Sequence, residues 1–158
     1  MDHSLKIGIS FGLTSSVITT LGLMVGLYSG LESRLVVIGG ILTIAIADAA
    51  SDALGIHISE ESENKHSKKE IWTSTLATFL SKFLFALTFL IPILLLELQT
   101  AIFVSVVYGL IILALLTYYI NKSKNKKPFR AIAEHIVFAM IVIITTYFVG
   151  IFISNLLV

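Results

Sequence analysis

The chain has 158 residues, 56% of them hydrophobic and only 13% charged, with a mean hydropathy of +0.96. A soluble domain carries roughly 25% charged residues, so this composition points to an all-α, polytopic membrane protein. The net charge of +1 carries no signal for nucleic acid: most of the charge sits in two short loops and forms no basic face, so no nucleic-acid partner is expected. The lack of cysteine excludes disulfides, thiolate metal ligands and cysteine nucleophiles.

A membrane-spanning helix needs about 20 mostly apolar residues. Five segments meet that requirement, at 7–30, 35–58, 75–97, 100–120 and 132–157, and together they form a single transmembrane domain. "MDHSLKIGIS" leads straight into the first without the short apolar core and small-residue cleavage site of a signal peptide, so it reads as an uncleaved span. The polar connections are expected at 59–70 and 121–130. Lys6, Lys65, Lys68, Lys69, Lys122, Lys124, Lys126, Lys127 and Arg130 fall on one side of a five-span topology, and Arg34 on the other. The positive-inside rule then places the N-terminus in the cytoplasm and the C-terminus outside.

The first span, "IGISFGLTSSVITTLGLMVGLYSG", pairs Gly8 with Gly12 and Gly22 with Gly26 at the four-residue spacing that lets helices approach closely, within one chain or across a dimer. Its middle is rich in hydroxyls. Thr14, Ser15 and Thr19 are candidates to line an ion path or else to bond back to their own helix, and Met24 is a candidate soft ligand or packing residue.

The second span carries Asp48 and Asp52 in "IADAASDALGIHISEESE". Residues four apart share a helix face about 6 Å from each other. An ionised carboxylate at the centre of a span costs about 2.5–3.5 kcal/mol on insertion scales, so such a pair needs water, a counter-ion or a bound cation. Paired carboxylate oxygens suit hard divalent cations, and they also suit proton exchange. Ser51 and Ser59 are further candidates to line the ion path, and Glu60 and Glu63 sit below as candidate metal ligands, in an acidic mouth or a solvated loop. Lys82 on the third span is the expected counter-ion. Both roles are compatible if a metal or proton displaces the lysine. Pro92 should kink the third span, and the fourth reads as scaffold. Glu134 and His135, near the cytoplasmic end of the fifth, are secondary candidates for contact with an ion or with headgroups.

The set "GLTSSVITTLGLMVGL", "SDALGIHISEESE", "FLSKFLFALTFLIP" and "TYFVGIFI", in that order, resembles the vacuolar iron transporter family. The resemblance implies a homodimer in the lipid bilayer, with the ion path at the subunit interface and lined by the first helix. It also implies that Fe(II) or Mn(II) is moved out of the cytosol in exchange for protons. No cofactor is implied beyond the transported metal. Three positions depart from the family pattern: Phe11 stands where an acidic residue is usual, Ile44 where a glutamate is, and Asp52 where a methionine is. Asp48 falls where small residues are usual, and the linker between the second and third spans is too short to hold the acidic cytoplasmic domain of plant-type members. The metal site is therefore expected to have moved to the second helix. Asp52 in place of a thioether shifts preference toward harder ions or protons.

The compact size suggests a prokaryotic plasma membrane. The competing reading is a non-transporting assembly or metal-sensing protein that retains the fold. An intramembrane aspartyl protease needs aspartates on facing helices, whereas here both lie on one, so no enzyme is expected.

Overall fold

The computed structural model describes residues 3–122 and 128–157, so the basic residues Lys124, Lys126 and Lys127 lie outside the described residues. The described chain is helical: α1 His3–Leu31, α2 Arg34–Ser62, α3 Lys68–Thr88, α4 Leu90–Leu95, α5 Leu98–Lys122 and α6 Pro128–Leu157. Taking α3 and α4 as one span, five spans are long and apolar enough to cross a membrane. Helix is the form that satisfies every backbone polar group inside lipid.

Local signals set the helix ends. Ser33 caps α2 by accepting from the Val36 amide. Ser67 and Glu70 form a reciprocal capping box at the start of α3, with the Ser67 amide donating to Glu70 Oε2 at 2.8 Å. Because α2 runs on through Ser62, only residues 63–67 separate it from α3, and Asn64 turns the chain there at φ 52°. The break in the third span falls at Phe89 rather than at Pro92. Pro92 has no amide for the Thr88 carbonyl four residues back, and its ring crowds that carbonyl, so the helix yields one residue after Thr88.

α1 packs against α2, α3, α5 and α6. Gly8 meets Ser74 and Gly12 meets Thr78, so α1 and α3 run in the same direction. Gly22 meets Val142 and Gly30 meets Gly150, so α6 runs with them, whereas Ser15 meets Asp52 and Leu27 meets Gly40, so α2 is antiparallel. The core gathers Val17, Leu21, Met24, Ile41, Phe89 and Leu113. Tyr108 of α5 closes one side, its hydroxyl 3.2 Å from that of Thr88 and its ring stacked on Phe85.

The glycines expected to pack a dimer are covered within the chain itself. Gly8 and Gly12 face α3, and Gly22 and Gly26 face α6. The small residues left open are on α2, where Gly39, Thr43, Ala47, Ser51, Gly55 and Ser59 form an exposed stripe at four-residue spacing.

Candidate functional site: a carboxylate pair around a buried lysine

α2 brings Asp48, at the midpoint of its 29 residues, and Asp52 to the junction with α1 and α3. α3 presents a buried face of Ile71, Ser74, Thr75, Thr78 and Lys82, polar at helical spacing. The Lys82 side chain is only 1% exposed and lies between the two carboxylates. Its ammonium donates to Asp52 Oδ2 and, at 2.8 Å, to Ser15 Oγ, while Ser15 Oγ donates to Asp52 Oδ2 at 2.6 Å. Asp48 Oδ2 lies 2.5 Å from Lys82 Nζ but receives no directed hydrogen bond, so that contact is an ion pair by proximity alone. Ser16 Oγ donates to the Lys82 carbonyl at 3.1 Å and pins α3 against α1 at this level.

Two carboxylates and one ammonium leave the cluster with a net charge of −1. A lone buried charge is costly, and an interior ion pair persists when its remaining donors and acceptors are also met. Lys82 achieves this with three oxygens as partners. The carboxylates are not sealed: the Asp48 side chain is 28% exposed and that of Asp52 22%. Asp48 also lines a groove of about 430 Å³ between α1 and α2, with Leu23, Leu27, Thr43 and Ala47 among the other walls.

The remaining expected site residues separate into groups. Glu60 lies two helical turns beyond Asp52. It is 6% exposed, accepts from Ser74 Oγ at 2.8 Å, and its Oε1 has no partner. Glu63 is exposed, 3.9 Å from Lys65 and 4.0 Å from His66, and does not join the buried acids. Ser51 and Ser59 are exposed on the outer stripe and point away from Lys82. Of the first-span hydroxyls, Ser15 enters the cluster, Thr19 bonds back to the Ser15 carbonyl at 2.9 Å, and Thr14 is half-buried without a described partner. Met24 is fully buried in the apolar core and is a packing residue there. Glu134 pairs with Arg130 at 3.0 Å and His135 Nδ1 lies 2.8 Å from Thr117 Oγ1, so their described contacts are not with the carboxylate pair.

Ser74 as the partner of Glu60, and Thr75 with Trp72 around His57, were not anticipated. The spacing of Ser74, Thr75, Thr78 and Lys82 was the available signal, since polar residues three and four apart mark one face of a helix.

Among the described residues, no group of three or more His, Asp or Glu side chains is gathered to hold a metal ion. The chain offers two carboxylates and a hydroxyl, an oxygen-only set suited to a hard cation or a proton. No curated protein matches the chain. The family model described as the VIT family matches residues 66–151, more than half of the 158 residues. That match and the five apolar helices identify an integral membrane protein of a transporter family. The chain belongs to the VIT family, the vacuolar iron transporters.

Proposed function

We propose that this protein carries divalent cations of the Fe(II) or Mn(II) kind out of the cytosol in exchange for protons, with Asp48 and Asp52 as the binding carboxylates. The observation that carries this reading is a pair of partly exposed carboxylates at mid-span, beside a groove and in reach of Ser15. Ionisable groups at that depth are costly and mark ion pathways. Buried Glu60, with one free oxygen, is the natural inner station at the cytoplasmic end under the N-in topology favoured by the basic loops. The host membrane in this reading is a prokaryotic plasma membrane.

A second copy of the chain completes the proposal. The open α2 stripe offers close helix approach, and the partly exposed carboxylates of Asp48 and Asp52 beside it are poorly suited to lipid. A parallel copy docked there would add its own carboxylates at the same depth.

The full ion pairing of Lys82 favours a second reading, in which the cluster is structural and the protein assembles or senses without transporting. Mn(II) flux into proteoliposomes separates the two. The double variant Asp48→Asn with Asp52→Asn is expected to lose transport, read on protein shown to be folded, since it leaves buried Lys82 without its counter-ions. Undiminished flux in that variant would remove these residues from the pathway, and metal binding without flux in the unmodified protein would favour the second reading.

A further inference from the structure

The ammonium of Lys82 occupies the position a cation would take, touching two carboxylates and a hydroxyl from two neighbouring helices. It does not arrive by diffusion. Its stem is buried, and its backbone is held by Ser16. The carboxylates meet the lysine on one side, while Asp48 borders the α1–α2 groove on another. A cation entering along that groove therefore meets a pair already shared with a competitor.

We propose that Lys82 is a tethered competitor that keeps divalent-cation binding weak enough for release. The inference rests on the reading of Asp48 and Asp52 as the cation site. With Lys82 in place an incoming ion is attracted by a net charge of −1, and without that ammonium by −2. Coulomb attraction scales with the product of the charges, so removing the lysine charge strengthens divalent binding more than monovalent binding. A carrier must hold its ion firmly enough to load and loosely enough to unload. The contact with Asp48 is the weak point of the lock, because it lacks a directed hydrogen bond and can be exchanged first.

The test is Mn(II) titration of the purified full-length protein in detergent, with free Mn(II) followed by its paramagnetic resonance signal. Lys82→Gln is expected to tighten Mn(II) binding by at least about tenfold, and Na(I) competition by a smaller factor. Lys82→Arg, which keeps the charge, is expected to keep binding weak. Adding Asp48→Asn and Asp52→Asn to Lys82→Gln is expected to abolish the gain. If Lys82→Gln folds only when Mn(II) is present, the metal has taken the place of the ammonium, as expected. Folded Lys82→Gln with unchanged or weaker Mn(II) binding would overturn the inference, as would failure to fold even in Mn(II). If in addition Asp48→Asn with Asp52→Asn still abolishes flux in the unaltered Lys82 background, the cation site stands and only the role of Lys82 falls. Tightening that survives loss of both carboxylates would count against both.

Discussion

α1 and α2 have the same length, 29 residues, yet they differ in how they are covered. α1 is enclosed by four helices, and four of its five glycines, Gly8, Gly12, Gly26 and Gly30, lie against backbone. α2 buries a narrow stripe of Val37, Ile41, Ala45, Ala49, Ala53 and Glu60, and leaves its opposite small-residue stripe open. The carboxylates sit at the boundary between these faces, half covered by α1 and α3. One helix thus supplies the rigid centre of the fold, and the other carries charge where a visitor or a second copy can reach it.

The sharpest way to break this contrast is to add one methyl group to each helix. At Gly8 of α1 a Cβ would overlap the Ser74 carbonyl oxygen and lie 2.7 Å from the Ala77 Cβ. The obstacle is backbone, which cannot rotate away, so Gly8→Ala is expected to destabilise by about 1–3 kcal/mol, as overpacking does. Thermal unfolding in detergent reads this as a clear drop in midpoint.

The openness of the α2 stripe can be sharpened by cross-linking. The chain has no cysteine, so single cysteines can be placed in an otherwise unchanged protein. Ser51→Cys on the stripe is expected to form a disulfide dimer in membranes under mild oxidation, whereas Phe103→Cys, exposed on α5, is not. Cross-linking at Phe103 and none at Ser51 would move the seam to another face. The smallest effect is expected at Gly39, where a new Cβ meets nothing within 4 Å. Gly39→Ala should be neutral, or stabilise by up to about 1 kcal/mol through its better helix propensity. A marked loss of stability there would mean that the stripe is covered tightly.

Much of the architecture was legible because lipid leaves few alternatives. Long apolar runs must be helices, and a lysine in the third span facing two aspartates in the second had few other partners at that depth. The phase of α2 was less legible. Continuing the Asp48–Asp52 stripe through Ser59 and Glu63 assumes a contact face running straight along the helix. Residues four apart advance by about 40° per step on a helix of 3.6 residues per turn. Packed helices cross at an angle and follow such a four-residue ridge, so the buried face winds around α2. By the C-terminal end of α2 it has turned Glu60 inward and left Ser59 and Glu63 outside. Close-approach spacing in α1 likewise could not say which helix would approach. The helices that approach are α3 and α6 of the same chain.

The decisive experiment is anomalous diffraction from crystals of the full-length protein soaked in Mn(II). A peak between Asp48 and Asp52, with the Lys82 ammonium withdrawn from at least one of them, is the expected result. A peak elsewhere, or none at saturating metal with Lys82 still bridging both carboxylates, would show that the mid-span acids serve the fold alone.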